Sequence, residues 1–313
     1  MEAQQPPFSA RAVSSLSLAT DAGEATVQAA CKLFRISRAA YYAARTGRKP
    51  KARPRPLPAA EVRPARFATA AELQQAIREV TKEHPAWGVR KVWATLRRPP
   101  YGLKAGLRRI WALMRELGLT FQPDRPARPE PARGHVAVPE PNRRWATDLT
   151  TVWTQQDGLV AVAPVLDCGD RSLLAIDATK TQDSPSVLQP VRTALEAEFG
   201  QPDAVPQGLE LRTDHGSQYT GGDCEDLCAY WHLEHTLAPV GRPTGNAVAE
   251  RFMRTLKEEL IWLRDWSSLA ELRQALQAYR VVYNEQRPHQ ALGWETPRER
   301  RNARLAASTL LAA

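Results

Sequence analysis

The stretch Pro243-Thr244-Gly245-Asn246-Ala247-Val248-Ala249-Glu250-Arg251-Phe252-Met253-Arg254-Thr255-Leu256-Lys257-Glu258-Glu259 reads as a helix with a working face. Thr244, Gly245 and Asn246 suit the entry to a helix. At about 100° per residue, Glu250, Arg254 and Lys257 share one side. Phe252, Leu256 and Leu260 share another and can face a core. One face therefore carries an acid followed by two cations. Chemistry on a phosphate backbone needs that pattern: a hard oxygen ligand for Mg²⁺ and cations to hold the charged strand.

Two further acids sit where strands should end. Trp145-Ala146-Thr147-Asp148-Leu149-Thr150-Thr151-Val152-Trp153 is β-branched and aromatic, the composition of a strand. Leu209-Glu210-Leu211-Arg212-Thr213-Asp214 is a short apolar strand that breaks into His215-Gly216-Ser217-Gln218-Tyr219. Taken singly, each acid is an ordinary turn, cap or solvated residue. Their order, their spacing and the strand–strand–helix setting make the trio a site.

These motifs resemble a family. A first Asp in W-x-x-D-[LI]-T, a second in T-D-x-G-S-Q-Y, and a Glu in N-A-x-x-E with Lys seven positions on are similar to the DDE transposases of the IS3 insertion-sequence family, relatives of retroviral integrases. Tyr283-Asn284-Glu285-Gln286-Arg287-Pro288-His289 through Pro297 resembles that family's C-terminal motif. The resemblance spans residues 24 to 300. Gly245 stands where the family often has Asp, and Arg212-Thr213 replaces a common His-Ser.

Charge points to a polyanionic partner. The net charge is +9 over 313 residues. It is uneven: residues 1–140 hold 25 Lys and Arg against 11 Asp and Glu, and residues 141–313 hold 18 against 23. The field that attracts DNA lies in the N-terminal half, and the acids that hold metal lie in the C-terminal half. Cys31, Cys168, Cys224 and Cys228 give no disulfide framework, so a reducing cytoplasm is expected. Cys224, Cys228 and His232 could share a helix face as a metal site, although packing cysteines are the commoner reading. No apolar run reaches a membrane span, and no signal peptide is read.

Along the chain, residues 1–22 read as disordered. Residues 23–45 suggest a helix-turn-helix-like segment with Arg35 and Arg38 early in its second helix. Residues 46–68 form a basic, proline-rich linker. Residues 69–120 predict three helices, Ala71–Glu83, Val89–Leu96 and Lys104–Leu117. The last has the apolar stripe Leu107, Ile110, Trp111, Met114 and Leu117 and the candidate DNA contacts Lys104, Arg108, Arg109 and Arg115. Residues 121–141 read as a second linker. From 142 to 264, three strands, helix, strand, helix, strand and helix give the order of an RNase H-like α/β core with a mixed five-stranded sheet. Ser184 is expected to cap the helix running to Phe199. Residues 265–313 are read as a C-terminal helix and tail.

Asp148, Asp214 and Glu250 are thus the expected ligands of two Mg²⁺ ions, with Mn²⁺ able to substitute. The expected activity is nicking at transposon ends followed by joining of the freed 3′-OH to a new strand. Lys257, Arg254, Asn246, His215 and Gln218 are the candidate DNA contacts around the acids. The resemblance implies double-stranded DNA partners, namely terminal inverted repeats and target. It also implies a homo-oligomer on that DNA and an OrfA-type helper protein. The alternatives are a DNA-binding regulator with an inactive core, and an RNase H-like nuclease that never joins strands.

Overall fold

The computed structural model describes residues 66–120, 138, 140–238 and 246–312, with side chains to 304. The segments expected at 1–22 and 23–45, with Arg35 and Arg38, and most of both linkers, lie outside the described residues. All elements below belong to one unit, Ala59–Ala313.

Strand β1 (Arg66–Phe67) leads into α1 (Ala70–Glu83), α2 (Val89–Leu96), β2 (Leu103–Lys104) and α3 (Leu107–Glu116). Thr69 opens α1 with a capping box. Its hydroxyl accepts from the Glu72 amide at 3.2 Å, and its own amide donates to the Glu72 carboxylate at 2.9 Å. The three helices close on Leu73, Ile77, Trp87, Val92, Leu96, Ile110 and Met114. Helix α3 begins at Leu107, later than expected, because Leu103 and Lys104 pair in parallel with Arg66 and Phe67. Lys104 is therefore a strand residue. The expected stripe is also corrected. Ile110 and Met114 are buried and joined by Leu113, whereas Leu107 and Trp111 are 38% and 48% exposed.

The second layer system starts with β3 (Arg144–Thr147), β4 (Thr150–Thr154), β5 (Gly158–Asp167) and β6 (Leu173–Thr179). Strands β3 and β4 are one bent run, interrupted at Asp148-Leu149. Both pair antiparallel with the long β5, and β6 lies on the other side of β5. Then come α4 (Ser184–Phe199), β7 (Glu210–Thr213), the short α5 (Ser217–Thr220), α6 (Gly222–Tyr230) and β8 (Glu234–Leu237). Strand β7 is parallel to β3, and β8 is parallel to β7. The order β6-β5-β3/β4-β7-β8 is the mixed five-row sheet expected of an RNase H-like core. Helix α4 is capped by Asp183, whose carboxylate accepts from the Ser186 amide at 2.9 Å. Ser184, the expected cap, is the first helical residue, and its hydroxyl donates to the Gln218 carbonyl at 2.7 Å.

Alternation along β5 fills both faces of the sheet. Val160, Val162 and Leu166 join one cluster with Phe252, Met253 and Leu256, from α7 (Ala247–Glu259), and Leu272 and Leu276, from α8 (Leu269–Val281). Ala163 and Val165 join the other with Val187, Val191 and Leu195 of α4 and Leu227 of α6. Helix α8 thus completes the core. It also seals the β6 edge. Arg273, Gln277 and Arg280 donate to the carbonyls of Ala178, Ile176 and Leu174 at 2.7, 2.7 and 2.6 Å. Asn284 exchanges two bonds of 2.9 Å with the Leu173 backbone. Helix α9 (Pro297–Ala312) follows. Among the described residues no helix is long and apolar enough to cross a membrane.

Candidate active site

Strand pairing brings the first two acids together. Ala146 faces Arg212 across the parallel β3–β7 ladder, so the same register continued two residues sets Asp148 opposite Asp214. Each lies just past its strand and uses one oxygen to hold its own turn. Asp148 Oδ1 accepts from the Leu149 amide at 2.9 Å, and Asp214 Oδ1 accepts from the Gly216 amide at 2.9 Å. A Cβ at Gly216 would lie 2.7 Å from Gln218 Oε1 and 3.0 Å from Asp214 Oδ1, so a larger residue there would make these side chains shift.

The third acid arrives on a helix that is tied to the first. Asn246 is buried, and its amide donates to the Thr147 carbonyl at 3.0 Å. This anchors the start of α7 beside the residue preceding Asp148. Glu250 then emerges one turn later on the exposed side. Asn246 stands at the helix entry, as expected, and its amide nitrogen positions the helix that carries Glu250.

Asp214 and Glu250 both lie near enough to act on the Asp148 charge. Burial pushes the Asp148 carboxyl up to about 6; the Leu149 amide opposes this, Asp214 and Glu250 add to it, and the Lys257 cation relieves part of it. The trio is more open than the tightest ligand cluster among the described residues, which is Cys224, Cys228 and His235, with all three ligand atoms within 4.8 Å of one another. Three neighbouring carboxylates offer hard oxygen donors and a repulsion that Lys257 relieves only in part, which fits Mg²⁺ or Mn²⁺.

Around the trio, Lys257 is half-buried, and Arg254 is exposed and paired with Glu258 at 2.7 Å. His215 is exposed, with Nε2 2.7 Å from the Ala238 carbonyl. In the helical domain Lys104, Arg108, Arg109 and Arg115 are all exposed, far along the chain from the acids. Lys104 lies over the Phe67 ring at 4.9 Å and Arg115 over Trp111 at 5.6 Å. Sequence reasoning missed a groove of about 780 Å³ where the helical domain meets α7, lined in part by Arg90, Arg171 and Arg251. Its residues come from distant segments and share no local motif. It also missed the ion cluster at the far end of α7. There Glu259 accepts two bonds from Arg287, at 2.8 and 2.9 Å, and pairs with Lys91 of α2.

Comparison with known proteins agrees with this geometry. The family described as Integrase core domain matches residues 138–243, a second family of the same description matches 232–297, and an HTH-like domain matches 69–127. The transposase InsD for insertion element IS2A/D/F/H/I/K of Escherichia coli is 33% identical over 231 residues, covering 71% of this chain and 76% of the relative. The chain belongs to the IS3 family of insertion-sequence transposases. This transposase is an enzyme of the polynucleotidyl transferase superfamily. Its core is also similar to two solved integrase structures. The HTLV-2 integrase catalytic core domain in complex with magnesium aligns at TM-score 0.38 and 15% identity, covering 51% of this chain and 95% of that one. The BIV integrase catalytic core aligns at TM-score 0.39 and 19% identity, covering 55% and 99%.

Proposed function

We propose that this transposase nicks DNA at the inverted-repeat ends of its element and joins the freed 3′-OH to a new strand, with Asp148, Asp214 and Glu250 holding two Mg²⁺ ions. The observation that carries this reading is geometric: the β3–β7 register sets Asp148 opposite Asp214, and the bond from Asn246 to the Thr147 carbonyl holds the start of the Glu250 helix beside them. Bound there, Mg²⁺ supplies Lewis-acid polarisation of the scissile phosphate and eases ionisation of the attacking hydroxyl. The chain's own residues set the geometry. Asn246 fixes α7 beside Asp148, and Gly216 keeps the Asp214 turn tight. Lys257 places a cation on the same helix face as Glu250, where the backbone near the cut end would lie. Arg254, His215 and Gln218 border that path. Lys104, Arg108, Arg109 and Arg115 present the exposed basic surface of the helical domain to duplex DNA. Two or more copies act on paired ends, with an OrfA-type helper protein and the nucleoid as the setting.

The test is incubation with labelled inverted-repeat ends and Mg²⁺. The wild-type chain is expected to nick and then join. Glu250→Gln should abolish both steps and keep DNA binding, since Glu250 is exposed and makes no packing contribution to the core. A Glu250→Gln protein that still joins ends would refute the metal assignment. Binding without nicking by the wild type would mark a regulator, and nicking without joining a nuclease.

A further inference from the structure

The possible metal face of Cys224 and Cys228 with His232 does not form. His232 is exposed and turns away at φ +55°, with its ring 3.9 Å from the Asp203 carboxylate. The imidazole that meets the cysteines is His235, on β8. Cys224 and Cys228 lie one helical turn apart on the buried side of α6, at 0% and 4% exposure. His235 Nε2 stands 3.9 Å from Cys224 Sγ. All three ligand atoms fall within 4.8 Å of one another. We propose that Cys224, Cys228 and His235 form a second metal site, separate from the three carboxylates, that takes a thiophilic divalent cation of the zinc class.

Distances and donor chemistry agree. A tetrahedral zinc holds sulfur at ~2.3 Å and nitrogen at ~2.0 Å, which sets its ligands roughly 3.5–3.8 Å apart. The 3.9 Å gap between Cys224 and His235 is already near that spacing. Two sulfurs and an imidazole are soft donors that select zinc over the magnesium suited to carboxylates. The Cys228 thiol donates to the Cys224 sulfur, and a cation bound to both would take that proton's place. A cation would take over His235 Nε2 from the Thr213 hydroxyl, which lies 3.0 Å away, and a water would fill the remaining position.

The place of the site matters. Thr213 immediately precedes Asp214, and its hydroxyl donates to the Asp214 carbonyl at 3.0 Å. A cation there would brace α6 and β8 against the strand end that carries the second acid.

The experiment uses the full chain, purified without chelator, dialysed exhaustively, and then stripped and titrated with Co²⁺. One equivalent of zinc per chain should survive dialysis. Cobalt should give an intense thiolate-to-cobalt charge-transfer band that saturates at one equivalent. Carboxylate-bound cobalt gives no such band, so the result does not depend on the nicking assay. His232→Ala should keep the band, His235→Ala should weaken cobalt binding by at least tenfold, and the Cys224→Ser, Cys228→Ser double variant should lose the band. A wild-type chain with neither retained zinc nor a band overturns the proposal, and so does a band that survives the double variant. If the double variant does not fold, the wild-type titration and the two histidine variants decide.

Discussion

Burial of a single carboxyl, that of Asp148, gives the fold a pH response. Its ordinary value is 3.8 and burial lifts it to about 6. Between those two values the folded chain keeps a proton that the unfolded chain has lost. The stability contributed by this residue therefore falls as pH rises across that window. A bound divalent cation favours the ionised form and removes the penalty. Mg²⁺ should accordingly raise the melting temperature more at about pH 7.5 than at about pH 5. Calorimetry at the two values tests this, and an equal or larger gain at the lower pH would contradict it. Asn246 gives a second test. Asn246→Ala frees the buried Thr147 carbonyl, which costs about 1–3 kcal/mol. It should also slow nicking by at least tenfold with little change in DNA affinity. At this scale the sequence named the three acids, because motif spacing survives in one dimension. It could not name the partner of Asn246, because Thr147 lies 99 positions away.

At the scale of elements, α7 is held at both ends: by Asn246 on Thr147 at its start and by Glu259 at its finish. Burial alone would raise the Glu259 carboxyl, but the bonds and charges of Arg287 and Lys91 outweigh it and hold it down to about 2. Lys91 itself is pushed down, by burial first and then by Arg287. Arg287, which grips the carboxylate with two nitrogens, is thus the principal partner. Glu259→Gln leaves two buried cations facing a neutral amide and should cost about 3–5 kcal/mol in urea unfolding at neutral pH. The ion pair is present above the ordinary carboxylate value of 4.5 and is lost as pH falls toward 2. The gap between wild type and Glu259→Gln should therefore close over that interval. Arg287→Ala should destabilise more than Lys91→Ala. The helices and strands themselves were legible, since apolar periods of 3.6 and 2 are local. The start of α3, the cap of α4 and the histidine beside Cys224 were not. Each is decided by a partner brought in by the fold: β1 for Leu103 and Lys104, the Gln218 carbonyl for Ser184, and β8 for α6.

For the whole molecule, charge segregation carries a salt signature. Lys104, Arg108, Arg109 and Arg115 are exposed on the helical domain, on the basic half of the chain. Replacing all four with alanine should flatten the slope of log affinity against log salt by up to about 3–4, if each meets one phosphate. Fluorescence anisotropy across a salt series on duplex DNA measures it, and an unchanged slope would remove this surface from the DNA path. The division into basic and acidic halves was readable from composition. The junction between them was not, because the contact of Lys91 with Glu259 bridges 168 positions. The row of side chains from α8 on the carbonyls of β6 has a consequence for assembly. It closes one rim of the sheet to any incoming strand. Two copies of the chain therefore cannot fuse their sheets across β6, and growth of an extended ribbon in that direction, the first step toward a fibril, is blocked within the fold itself.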